Sequence, residues 1–394
     1  MLWADFSSPT MLDSPTTAFV ASTYAIVSME KCFGHAAGLD TEDAFQLYAA
    51  ALKAVNPAVS VLFYWHMAVE IAGPSFDPCY AAGREFLARP DLWLYGDDGA
   101  PLLNGPFLQR NLTLADTQRY MVGNVLKALQ RNTSNFDGVF ADGALQNLYP
   151  NMSQSRMDAQ NNAVNAVALS ETLALQAVKP GVRLITNGLA QYHTLNPSFP
   201  VDDGMTLLGF SDGVCVEHWA AFEMTDGTNC SIKPQLMDAM LGHVAVAAAR
   251  NKTVLIKGWP GPVNTPILSL GPSWPAACGD PGESREARAA AALDWFTPSY
   301  ALFLLAVEPT VFWSYSWWYS AVDGYFPPPA PGDANTTSAP YGWYPELSKP
   351  LGPPNGPAHR IPGGSGWMYT RSFARAVVTV DLADYKRTAS IVWG

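Results

Sequence analysis

Short, almost wholly apolar runs recur along this chain, each separated from the next by a helical pattern. The clearest run covers residues 59–66, with SVLFYWH as its core. Such a run suits a parallel strand buried on both faces. A strand over 24–29 and a helix over 44–55 precede it. That helix opens on Thr41-Glu42-Asp43 and stops before Asn56-Pro57. The alternation continues with strands expected over 91–95, 136–141, 182–186, 213–216, 253–257 and 310–315. Helices are expected over 114–130, 156–178, 233–250 and 286–307, the last kinked or broken at Pro298. Eight strands alternating with helices at this spacing predict an α/β fold, a (β/α)8 TIM barrel, in preference to an open doubly wound sheet. No G-x-G-x-x-G follows the first strand, which disfavours dinucleotide binding.

The barrel is expected to occupy residues 1–350. Residues 351–366 read as a Pro/Gly-rich linker. Residues 367–394 alternate as MYTRSF, ARAVVTVDL and ASIVWG, a small C-terminal β appendage too short for its own core.

The stretch FDGVFADGAL, residues 136–145, carries the clearest chemical signal. Alternation puts Gly138, Phe140 and Asp142 on one strand face. A carboxylate at the end of an apolar strand is costly to bury without a purpose, and Gly143 permits a sharp exit. The alternative is that Asp142 caps the next segment. In a parallel barrel, strand C-terminal ends are where chemistry is placed. Other carboxylates there are Glu30, Asp97, Asp98 and Glu217, with Glu70 just beyond the second strand. Asp142 and Glu217 end runs with no other charge, VFAD and VCVE. Paired carboxylates across one mouth are what glycoside hydrolysis needs, one protonated as acid, the other ionised as nucleophile or base. The structural alternative pairs Glu217 with Lys257 or Lys31. Glu30-Lys31 reads as a salt bridge of the mouth, and Asp137 as a turn or cap residue.

Sugar rings stack on aromatic planes. Trp219 and Trp259 are the best candidates for this, with Trp65 and Trp313 also near strand ends. Asn187 and His218 could bind sugar hydroxyls, as could Glu30 and Asp98. His66 and His193 read as structural histidines. No H-E-x-x-H, P-loop or G-x-S-x-G elbow is present, and the chemistry expected here needs no cofactor and no metal.

Charged residues make up only 14% of the chain and the net charge is −11. That balance argues against nucleic acid and anionic membrane surfaces as partners. No apolar run is long enough to span a bilayer. The chain starts without a basic-then-apolar leader. Six N-x-Ser/Thr sequons begin at Asn111, Asn132, Asn151, Asn229, Asn251 and Asn335. Together with five cysteines and no CxxC pair, they point to a secreted or lumenal glycoprotein. Disulfides are expected between Cys32 and Cys79 and between Cys230 and Cys278, leaving Cys215 as a buried thiol.

The segments YAIVSMEK, VLFYWH, FDGVFADG, ITNGL and VCVEHW, then WYPELSKPLGPP and YTRSFARAVVTVDL, resemble TIM-barrel glycoside hydrolases over most of the chain. The resemblance is closest to groups described as hypothetical glycosyl hydrolases. It extends more distantly to endo-α-1,4-polygalactosaminidases and α-galactosidase-like barrels. It implies catalytic acids at the ends of the fourth and sixth strands, hence Asp142 as nucleophile or transition-state stabiliser and Glu217 as general acid/base. Arg371 and Phe373 match a pattern of the appendage. The expected function is cleavage of an O-glycosidic bond in a poly- or oligosaccharide. The alternative is a barrel that binds carbohydrate without catalysis. A carboxyl separation of about 5 Å would give retention, and one of roughly 6.5–9.5 Å inversion.

Overall fold

The computed structural model describes residues 2–4, 14–144, 151–189, 203–221, 224–225, 231–262, 285–316 and 344–394. The chain divides into two compact units, Met1–Cys215 and Val216–Gly394.

In the first unit the parallel strands are β1 (Leu2–Ala4), β2 (Ile26–Met29), β3 (Ser60–His66), β4 (Gly138–Asp142) and β5 (Arg183–Asn187). They pair in that order. Strand β6 (Gly213–Trp219) starts here, beside β5, and continues into the second unit. The helices α1 (Ser14–Thr23), α2 (Thr41–Val55), α3 (Ala81–Leu87), α4 (Ala115–Arg131) and α5 (Gln154–Val178) lie between the strands in sequence. In the second unit, β7 (Thr253–Gly258) and β8 (Val311–Tyr315) follow β6, with α6 (Pro234–Ala249) and α7 (Arg285–Ala306) between them. The order of the eight strands in the sheet matches their order in the chain. An open doubly wound sheet reverses direction at a switch point, whereas a TIM barrel winds one way. The fold is therefore an α/β fold of the TIM-barrel type. The second unit ends in an antiparallel sheet of β9 (His359–Arg360), β10 (Met368–Phe373), β11 (Ala376–Asp381) and β12 (Ser390–Trp393). Its last three strands fall in the segments expected to alternate, while β9 lies within residues 351–366, expected as a linker.

One strand expectation needs correction. Residues 91–95 do not join the barrel sheet. Residues 90–92 form a 3-10 turn, and Trp93 and Tyr95 make isolated antiparallel bridges to Arg110 and Pro101. Leu92 and Leu94 are buried while Trp93 and Tyr95 are half-buried, as in a side ribbon, whereas the barrel strand β3 is buried on both faces. The missing place is taken by β1, whose three residues are too few to show periodicity. Because one strand is gained and one lost before it, β4 remains the fourth strand of the sheet and β6 the sixth. Helix α7 runs through Pro298 as one helix.

β4 is fixed at its N-terminal end by Asp137. The Asp137 carboxylate accepts from the Val61 backbone N–H at 2.9 Å and pairs with Lys53 at 2.6 Å and Lys179 at 3.7 Å. At Gly138 an added Cβ would lie 2.3 Å from the Arg183 carbonyl oxygen, so only glycine lets β4 and β5 approach there.

Within the second unit the terminal sheet is tied down by Arg371, whose guanidinium is buried. It donates to the carbonyls of Leu305 at 3.0 Å and Val307 at 2.7 Å, at the end of α7, and to the Glu308 carboxylate at 2.6 Å. A cation here satisfies helix-end carbonyls and complements the helix dipole.

Cys32 and Cys79 form a disulfide, and Cys215 is buried, both as expected. The expected Cys230–Cys278 pair lies outside the described residues, as do His193 and the sequons at Asn229 and Asn335. Asn132, Asn151 and Asn251 are exposed and Asn111 is half-buried.

Candidate active site

The register of β3 against β4 pairs Tyr64 with Phe140 and His66 with Asp142. Alternation then places Tyr64, His66, Phe140 and Asp142 on one face. The register of β4 against β5 pairs Ala141 with Thr186, which brings Asn187 level with Asp142 on that face. Glu30 follows directly after β2 and is buried. Four adjacent strands therefore deliver polar side chains to one place.

Asp142 is the hub. Its Oδ1 accepts from the Asn187 side-chain amide at 2.7 Å and from the Gly143 backbone N–H at 2.8 Å. Gly143 has φ +65°, the left-handed exit anticipated from its sequence position. Oδ2 accepts a short hydrogen bond from the Tyr64 hydroxyl, and the Nε2 of His66 lies 3.9 Å from it. Burial pushes the Asp142 carboxyl upward. Lys31 and the hydrogen bonds from Tyr64 and Asn187 oppose that, and the carboxyl is held below the ordinary carboxylate value. Glu30 behaves oppositely: burial raises its carboxyl, the bonded Lys31 partly offsets this, and the nearby charge of Asp142 adds to the rise. Burial also raises Tyr64 well above its ordinary value, so it remains a proton-bearing donor. The burial of His66 lowers its ring to about 4.

Arg110 closes the layer behind. It is buried, donates to both Glu70 at 2.8 Å and the Met67 carbonyl at 3.4 Å, and lies 4.6 Å from the Trp65 ring centroid. Glu70 also accepts from the Tyr120 hydroxyl at 2.8 Å. Glu70 is thus part of a buried structural network.

In the second unit, Glu217 lies two residues beyond Cys215 on the same face of β6 and is half-buried. Its carboxylate is 4.0 Å from the Nε2 of His218, and its backbone carbonyl accepts from the Trp259 indole at 2.7 Å. Lys257, the lysine considered as a structural partner for Glu217, donates to the carbonyls of Ser316 at 2.7 Å and Gly258 at 3.0 Å.

Several expected binding residues prove to be packing residues. The rings of Trp65, Trp219 and Trp259 are only 2%, 1% and 2% exposed and present no open face to a sugar. Trp65 alternates away from Tyr64 and His66 into the Arg110 layer. Trp313 stacks between β8 and α7, 5.2 Å from Phe303 and 5.4 Å from Tyr300. Asp98 is exposed and caps its own turn through the Ala100 N–H at 3.0 Å. Asn187 and Glu30 do join the cluster. Sequence reasoning passed over Tyr64 as one aromatic among many and took His66 as structural. The readable signal was their two-residue spacing on β3, which puts both on the face opposite Trp65.

The sequence profile of a family described as hypothetical glycosyl hydrolase family 15 matches residues 53–377. Among curated proteins, none matches the chain significantly by sequence. Solved structures resemble it at low identity. An α-amylase from Geobacillus thermoleovorans is 8% identical with a TM-score of 0.48, over 96% of this chain and 84% of that one. An α-galactosidase from Lactobacillus brevis is 10% identical with a TM-score of 0.43, over 93% of this chain and 42% of that one. A Paenibacillus cycloisomaltooligosaccharide glucanotransferase is 12% identical with a TM-score of 0.41, over 65% and 37%. The chain thus spans well under half the length of the last two.

Proposed function

Because the chain belongs to hypothetical glycosyl hydrolase family 15, we propose that this glycoside hydrolase cleaves an O-glycosidic bond of a poly- or oligosaccharide with Asp142 and Glu217. The single observation that carries the assignment is the ring of donors around Asp142. Two donors on Oδ1 and one on Oδ2 favour the ionised carboxylate. A carboxylate held in this way is poorly suited to give up a proton and well suited to attack an anomeric carbon or stabilise its developing charge. The proton for the leaving oxygen then falls to Glu217, which afterwards deprotonates the incoming water.

A secreted or lumenal setting is supported by the Cys32–Cys79 disulfide and by three exposed sequon asparagines. The decisive experiment is a hydrolysis screen over a glycan library with wild type, Asp142→Asn and Glu217→Gln. Wild-type release of reducing sugar should fall on the order of 10²–10⁴-fold in each variant. Full activity in either variant would remove that residue from the mechanism. The anomer formed first, followed by NMR, separates retention from inversion.

A further inference from the structure

His66 ends β3 directly opposite Asp142. Its Nδ1 faces two backbone donors, the N–H groups of Ala68 and Val69, each at 3.1 Å. Both hydrogens point at the same ring nitrogen, so that nitrogen must carry a lone pair. A neutral imidazole has one donor and one acceptor nitrogen. The proton of His66 is therefore on Nε2, the nitrogen that faces the mouth. Adding a second proton would set an N–H against two N–H groups. The charged neighbours do not rescue that state: Asp142 favours the imidazolium, but Arg110 and Lys31 oppose it, and burial weighs most, bringing the ring to about 4.

The Nε2–H does not reach Asp142. At 3.9 Å from Oδ2 it is too far for a hydrogen bond. Its hydrogen is thus left for a group other than the carboxylate. An anomeric carbon in line with Oδ2 would sit about 3 Å from it. The oxygens within reach of Nε2 are then those flanking that carbon, the ring oxygen and the hydroxyl on the next carbon. Donation to the ring oxygen would oppose the positive charge that develops there in the transition state. Donation to the hydroxyl does not.

We propose that His66 is a fixed neutral donor that binds the hydroxyl on the carbon next to the anomeric centre, and that the enzyme accordingly depends on an acceptor oxygen there and turns over 2-deoxy sugars poorly. This rests on the glycoside hydrolase reading. It adds a substrate contact and a residue whose role is to bind, not to transfer a proton.

Two measurements test it. The first needs no substrate. In ¹⁵N-histidine-labelled protein, the ring resonance that disappears in His66→Gln should show Nε2 protonated and Nδ1 unprotonated, unchanged between pH 5 and pH 8. Protonation of both nitrogens within that range would overturn the lock. The second uses 4-nitrophenyl glycosides of glucose, galactose, mannose and xylose beside their 2-deoxy counterparts. Loss of the hydroxyl should lower kcat/KM in wild type more than it does in His66→Phe. His66→Phe should lower kcat/KM by about 10- to 100-fold. His66→Gln, which keeps an N–H donor, should recover part of that, and neither should change the shape of the pH profile. An equal penalty for the 2-deoxy sugar in wild type and in His66→Phe, or a pH limb lost in His66→Gln, would overturn the proposal. A folded wild type that hydrolyses neither these glycosides nor the glycan library would defeat the hydrolase reading itself, while the ring's protonation would still decide the lock.

Discussion

Asp142 has two oxygens in different circumstances. Oδ1 is bonded by Asn187 and Gly143, while Oδ2 is bonded by Tyr64 and faces His66. Tyr64→Phe should therefore weaken the anion without emptying the site. Loss of a hydrogen bond to a charged group costs about 1.5–3 kcal/mol. The acidic limb of kcat/KM should then move upward by roughly one to two pH units. A limb that stays in place would mean that Asp142 does not govern it. Glu171 offers a stability test that uses none of the groups around Asp142. It is buried on α5, and neither carboxylate oxygen has a hydrogen-bond partner among the described residues. Burial raises it from 4.5 to about 8. The folded state thus holds this proton more tightly than the unfolded chain does. The stability it contributes is full below pH 4.5 and is lost as the pH rises through about 8. Glu171→Gln should match wild type near pH 5 and exceed it by ~2–4 kcal/mol near pH 9, as measured by urea unfolding.

Among the elements, β3 and β4 were the most legible, because their apolar runs end in groups that only a site explains. The extent of the site along β3 was less legible. Which face Tyr64 and His66 share follows from alternation, but which face looks inward requires the pairing with β4. Residues 91–95 misled because five alternating residues read alike in a barrel strand and in a side ribbon. Helix α1, beside Ser and Pro, and the seven-residue α3 lacked the length that makes a helical period visible. The tryptophans looked like sugar platforms because sequence gives their place along a strand but not their burial. Arg371 makes an element-scale prediction. It joins β10 to the end of α7, and Arg371→Met would strip those carbonyls of a donor and leave Glu308 without it. The expected loss is ~1–3 kcal/mol, read as a lower urea midpoint, with Arg371→Lys recovering little because one ammonium cannot span several acceptors.

Across the whole molecule, the Cys32–Cys79 bond closes a segment that includes α2 and β3, and its first cysteine lies two residues after Glu30. Peptide mapping without reduction should recover the 32–79 link. Cys32→Ser should cost ~2–4 kcal/mol of stability, and full labelling of all five cysteines by a thiol reagent would exclude the bond. The TIM-barrel class was legible because strand order and helix alternation follow directly from chain order. The ordinal places of Asp142 and Glu217 survived an error in the strand list because that error compensated itself upstream of both. Finally, β4 carries an anchored carboxylate at each end, Asp137 against two lysines and Asp142 against its donors. The strand is a strut of about 17 Å, braced at the floor and loaded at the mouth. Its working end is stiff before any sugar arrives, so binding need not freeze it. Slackening the far brace with Asp137→Asn would then reduce turnover from a distance, with every group that meets the substrate left in place.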